Sequence, residues 1–316
     1  MKARIGFTLL ELVFVIIVMG ILAKFGVELL AQAYSSYLQQ RIYAELQTKS
    51  EIAVEYIAKR LEYRIKDSTI ARKVKAGNFV SISDASGTDY TVLEWIGYDV
   101  EGFRGYYNGS YFKPAWSGII DLDNSSATTL HSPDTNTTAE DNIIKALSEN
   151  NSTTVDHIGL YFIGSNSDVT KDYGWDGDLT KINAQQGAIH PVKSNGTIDE
   201  FISSTGTNFT GIDVYEYYQL AWSAYGIVLE NYNTTTHTGT LMIYYNYQPW
   251  LDRDGDGQGD QLTNAPFVIS HTIMKNVSAF RFMAIGSIIK IQVCVKSDIL
   301  NNDGGDYGIC KEKTIM

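Results

Sequence analysis

Apolar residues run almost unbroken from Phe7 to Ala23, behind a short start that carries Lys2 and Arg4. The run stops at Lys24, and Phe25, Val27, Leu29 and Leu30 extend it by another turn or two. That is enough for a membrane span, which takes about 17–25 residues. The basic start predicts a cytoplasmic N-terminus, with the bulk of the chain on the far side. Beyond Lys24 the apolar positions step by three or four: Leu30, Tyr34, Tyr37, Leu38, Ile42 and Leu46, then Ala53, Ile57, Leu61 and Ile65. That is the helical period. No Pro or Gly interrupts Val27 to Arg72. The pattern predicts one long helix with a membrane half (7–30) and an outer half (31–72). Its end is expected near Lys66-Asp67-Ser68 or a turn later. A cleaved secretory signal is the competing reading, and Ala31-Gln32-Ala33 offers it a small-residue cleavage site. Two features oppose it: the helical period continues past Ala33, and Glu11 lies inside the apolar run. An ionisable residue at membrane depth is costly and usually has a task.

After the helix the period becomes alternating. Strands are predicted at 78–82, 90–96, 158–163, 225–230, 240–245, 267–273, 277–283 and 288–295. In the last, Ile289, Ile291, Val293 and Val295 alternate with Lys290, Gln292 and Cys294. Between Asp121 and Gly211 the composition shifts to Asn, Ser, Thr, Asp and Gly, which reads as a loop-rich insertion with one short helix at Ala139–Glu149. The Tyr-rich segment Arg104 to Trp116 reads as a hairpin whose aromatics cover a sheet, with a recognition surface as the alternative. The fold class is therefore α+β. A long N-terminal helix is expected to pack on an antiparallel sheet in a β-rich head (73–316).

Composition narrows the function. The 316 residues are 44% hydrophobic and 19% charged, with a formal net charge of -11. An acidic surface repels phosphate backbones, so no nucleic-acid partner is expected. The 21 tyrosines suit half-exposed pleated surfaces. His131, His157, His190, His237 and His271 show no metal-ligand spacing. The chain has no nucleophile elbow, P-loop or dinucleotide fingerprint, so an enzyme is not expected.

The segment Gly6-Phe7-Thr8-Leu9-Leu10-Glu11 closely resembles the prepilin motif of type IV pilins and pseudopilins. The resemblance implies a leader peptide (1–6), cut by a prepilin peptidase between Gly6 and Phe7, with methylation of the new Phe7 amine. It implies that Glu11 pairs with the N-terminal ammonium of a neighbouring subunit, since a buried carboxylate is tolerable only when paired. Other pilin or pseudopilin subunits and an inner-membrane assembly platform are the implied partners. Losing Lys2 and Arg4 makes the net charge -11 - 2 = -13. Major pilins often carry a Pro near the middle of this helix, whereas Lys24-Phe25-Gly26-Val27-Glu28 has none. Thr48–Ile70 and Asn276–Val293 resemble J-type minor pseudopilins of type II secretion and W-type minor pilins. The expected role is a minor subunit that assembles or primes a filament. A type II secretion pseudopilus is the leading setting, and a type IV pilus with an adhesive head is the alternative. The implied location is a single-pass inner-membrane protein with a periplasmic head, or a filament at the cell surface.

Two constellations remain. Asp252, Asp254, Asp256 and Asp260 fall at positions 1, 3, 5 and 9 of one loop, with Gly257 at position 6 and Gln258 beside it. That hard-oxygen spacing suits a structural Ca2+, although Thr263 stands where an EF-hand has Glu. An acidic turn without metal is the alternative. Cys294 and Cys310 are the only thiols, and an oxidising compartment favours a disulfide over two free thiols. The loop they enclose, Asn301 to Asp306, is irregularly spaced and reads as a polar turn. Asn136 and Asn151 lie in N-x-S/T sequons with Asp134 and Glu149 two residues before them, a candidate for glycosylation.

Overall fold

Helix α1 (Leu9–Glu62) starts at a capping box. The Thr8 hydroxyl accepts from the Glu11 N–H, and the Glu11 carboxylate accepts from the Thr8 N–H, so two orphan donors are satisfied at once. The computed structural model describes residues 8–85, 87, 89–149, 152–300 and 306–316. After α1 come β1 (Ile70–Arg72), β2 (Phe79–Ser81) and β3 (Val92–Gly97), then the short helix α2 (Val100–Arg104). The hairpin β4 (Tyr106–Tyr107) and β5 (Phe112–Lys113) follows, then β6 (Leu130–His131) and α3 (Thr137–Leu147). Next are β7 (Ile158–Phe162), α4 (Thr180–Asn183), β8 (Ile189–Ser194), β9 (Glu200–Ser203) and β10 (Tyr218–Ala221). The chain closes with β11 (Ser223–Asn233), β12 (Thr238–Tyr247), β13 (Ile269–Ile285), β14 (Ile288–Leu300) and β15 (Asp306–Ile315).

Eight strands form one antiparallel sheet in the order β15-β14-β13-β12-β11-β3-β1-β2. One face carries the outer half of α1. Leu46, Ala53, Val54, Ile57, Ala58 and Leu61 pack there against Leu93, Trp95, Ile227, Ile243, Phe280 and Ile291. The steps of 7, 1, 3, 1 and 3 along α1 keep these residues on one stripe, as the sequence pattern requires. The first half of α1 is exposed along its whole length: Leu10 is 82% and Phe14 68% exposed. It is long and apolar enough to cross a membrane.

The helix ends at Glu62, short of the expected 66–72. There the sheet competes for the backbone. Ile65 N–H donates to the Ile96 carbonyl, Arg64 bridges to Gly97, and Ile70–Arg72 becomes β1, fully buried between β2 and β3. Segments 267–273 and 277–283 form one strand rather than two. Asn276, at φ 60°, lies in the bulge between Met274 and Val277 where β13 pairs with β12. Cross-strand stacking accounts for several aromatics. Trp95, Tyr225, Tyr245 and His271 stack successively across β3, β11, β12 and β13, with centroids 5.8, 6.2 and 5.8 Å apart.

The other correction concerns the 121–211 region. It is not loop without core. Its strands β6, β7, β8 and β9 join β10 in a second, five-stranded antiparallel sheet in the order β10-β7-β8-β9-β6. Ile144, Ile158, Leu160, Phe162, Val192 and Phe201 are fully buried beneath it. Strands of two to six residues separated by Asn, Ser, Thr and Gly turns dilute the apolar signal that each strand carries. A third core joins this sheet to the far face of the first. There Tyr161, Trp175 and Ile189 meet Ile96, Val228 and Tyr247. The chain leaves the first sheet after Gly97 and re-enters it at Ser223, which are direct partners across β3 and β11.

Candidate functional site

The acidic loop sits where the two sheets meet. Its carboxylates converge: Asp252, Asp254 and Asp256 each place an oxygen within 4.8 Å of the others. Alternate residues turn inward because the backbone doubles back at Gly255 and Gly257, with φ of 80° and 85°, a region that only Gly enters without strain. Backbone donors hold the arrangement. Asp252 accepts from the N–H groups of Gly255 (2.7 Å), Asp256 (3.2 Å) and Gly257 (2.9 Å). Asp254 accepts from Asp256 N–H, and Asp256 from Gln258 N–H and the Asn264 amide. Among the described residues this is the one group of three or more acidic, His or Cys side chains close enough to share a metal.

The other two predicted ligands are placed differently. The Gln258 side chain lies over Gly177, where a Cβ would come within 3.0 Å of its Oε1. Asp260 is 2% exposed, and its Oδ1 accepts from Arg253 N–H while its Oδ2 has no partner. Burial pushes its carboxyl up to about 7, and the nearby Asp254 and Asp252 add to this. A buried orphan carboxylate oxygen beside three convergent carboxylates fits a hard divalent cation. Arg253, between two of the carboxylates, carries no signal in their spacing yet anchors the loop. Its guanidinium leaves the loop, donates to Thr153 Oγ1 and Gln248 Oε1 (2.9 Å each) and to the Ser152 carbonyl, and covers the Phe267 ring. It ties the loop to the segment between α3 and β7.

Cys294 and Cys310 form a disulfide between directly opposed positions of β14 and β15, with Cα atoms 4.0 Å apart. Closing a 16-residue separation adds stability on the order of 3 kcal/mol in the loop-entropy account. It secures the strand that α1 leans on. Lys313 pairs with Glu55, and Lys311 stands 4.0 Å from Glu51. Residues 301–305 of the enclosed loop, and Asn151 of the second sequon, lie outside the described residues. Asn136 is half-buried, caps α3 by accepting from Ala139 N–H, and donates through Nδ2 to the Tyr106 hydroxyl at 2.8 Å. A glycan on that nitrogen would displace the Tyr106 contact. The Tyr-rich segment is a hairpin, but Tyr107, Tyr111 and Phe112 are exposed rather than laid over a sheet.

At the start of α1, Glu11 is exposed and, among the described residues, engaged with Thr8, whose N–H and hydroxyl both donate to Oε2 at 3.0 Å. Gly6 and Phe7 lie outside the described residues. No protein-family model, curated protein or solved structure matches the chain.

Proposed function

We propose that this chain is a minor pilin-like subunit that assembles or primes a filament, with a type II secretion pseudopilus as its setting. One observation carries the reading. A single 54-residue helix begins at the prepilin-like motif, leaves its apolar first half without a partner, and packs its second half on an α+β head. An apolar half-helix of that length needs a membrane before assembly and neighbouring helices after it. Processing at Gly6–Phe7 by a prepilin peptidase would free the Phe7 ammonium to meet Glu11 of another subunit. The head would then stand in the periplasm, where the disulfide is at home. The role is structural rather than enzymatic. A second reading, an adhesive minor pilin, draws on the second sheet and on the exposed rings of Tyr107, Tyr111 and Phe112.

Comparing the secreted proteins and sheared surface filaments of wild-type cells with those of an in-frame deletion separates the two. Loss of secreted enzymes with pili intact is the expected result. Loss of pilin from the sheared fraction with secretion intact would replace the first reading with the second.

Within this reading the acidic loop holds a structural Ca2+ through Asp252, Asp254 and Asp256, with Asp260 behind them and Gln258 at the rim. It would fasten the junction between the sheets. Isothermal titration of the detergent-solubilised chain should show calcium binding in the range of roughly 10⁻⁴–10⁻³ M that extracellular modules use. Asp254→Asn should weaken it. No heat at millimolar calcium would remove the metal from the account.

A further inference from the structure

A second carboxyl cluster lies outside both the acidic loop and the helix start. Asp99, just before α2, is 1% exposed, and Glu140, in α3, is fully buried. The two carboxyls lie against one another beside Gly102. Both crowd the same glycine: a Cβ on Gly102 would fall 1.9 Å from Asp99 Oδ2 and 2.2 Å from Glu140 Oε2. Trp116 Nε1 donates to Asp99 Oδ2 at 3.1 Å. Asp99 Oδ1 and both Glu140 oxygens find no donor among the described residues. Two carboxylates cannot hydrogen-bond each other unless one carries a proton. Among the described residues no cation offsets them. Glu101 and Asp141 add negative charge, the Tyr218 and Tyr225 phenols are neutral, and Arg60 is engaged by Glu101 at 3.4 Å.

We propose that Asp99 and Glu140 form a proton-dependent latch, which fastens α2 and the exposed aromatic hairpin β4–β5 to α3 at acid pH and releases them as the pH rises. The mechanical link is direct. Gly102, between the two carboxyls, accepts from Ala115 N–H at the hairpin's far end, and the Ala115 carbonyl accepts from Asn136 N–H at the start of α3. Burial pushes Asp99 up to about 6, and burial together with the Asp99 charge pushes Glu140 well above the usual carboxylate range. In an opened segment both would return to about 4. The latch is therefore complete below about pH 4 and weakens as pH rises toward the folded values, since opening then releases protons. The reading does not depend on filament assembly.

The test uses the full chain in detergent with EDTA present, followed from pH 4 to 9 by infrared spectroscopy and by proteolysis within 103–113. Asp260→Asn serves as the background, which removes the other raised carboxyl. The expected result is a protonated-carboxyl C=O band that persists at neutral pH. Cleavage should accelerate by up to about a hundredfold per pH unit while both carboxyls are protonated in the closed form, and by up to about tenfold once one of them has ionised. Glu140→Gln, whose amide can donate to Asp99 without a proton from solvent, should lose the band and flatten the cleavage profile. Asp99→Asn is the second variant if Glu140→Gln fails to fold. Three results would overturn the latch: no acid band at neutral pH, the same cleavage profile in the variant, or a band that appears only once EDTA is added, which would mean a bound cation.

Discussion

Replacing Arg72 with Met should destabilise the folded chain by about 3–5 kcal/mol, the usual loss when one partner of a buried pair is removed. Glu94 is fully buried and Arg72 nearly so, with Nε and Oε1 2.7 Å apart. The remaining guanidinium donors reach the Gly77 and Trp175 carbonyls and Gln261 Oε1, and the second Glu94 oxygen accepts from the Tyr247 hydroxyl at 2.9 Å. The pair is fully satisfied. It joins β1 and β3 to the loops after the second sheet begins, so its loss strands a charge at the junction. Urea denaturation of Arg72→Met beside Arg72→Met/Glu94→Gln checks the cause. The double variant should recover part of the loss, because the stranded charge goes with it. A single-variant loss below about 1 kcal/mol would mean that water already reaches the pair.

Glu11→Ala should remove the chain from filaments while leaving its head folded and its cellular level unchanged. Glu11 lies far along α1 from the first buried helix position, Leu46, so the cores do not depend on it. The variant removes two things at once: the carboxylate proposed to meet a neighbour's Phe7 ammonium, and the reciprocal cap with Thr8. Thr8→Ala separates them, since it removes only the cap's hydroxyl, a loss of about 1 kcal/mol of helix stability. Immunoblots of sheared and whole-cell fractions should show Thr8→Ala in filaments and Glu11→Ala absent from them. Equal loss in both would assign the effect to capping and end the pairing mechanism.

Much of this architecture was legible in the residues because the signals are local. The α1 stripe from Leu46 to Leu61, the alternation through Ile289–Val295 and the spacing of Asp252, Asp254 and Asp256 each need only a short window. What was hidden depends on partners distant in sequence. Ile65–Arg72 reads as helix until the edge of β3 is there to claim its backbone. Of the second sheet only β7 reads as a strand in the sequence; β6, β8, β9 and β10 become strands only by pairing with their neighbours. Asp99 and Glu140 look like two ordinary surface acids, and only the meeting of α2 with α3 brings them over Gly102. Arg253 looks like a spacer between ligands, because its contacts lie about a hundred residues upstream.

The paired exit and entry at Gly97 and Ser223 make the second sheet a cassette in a socket. The ends of the intervening segment are held a single strand spacing apart, about 5 Å, whatever lies between them. Any module whose own termini are that close could be spliced in without stretching the eight-stranded sheet or moving α1. The condition is apolar: the replacement must cover Ile70, Val92, Ile96 and Val228, which the present cassette shields. A chain that keeps the helix and large sheet can therefore carry a different module there, provided the underside of the new one is greasy in the same place.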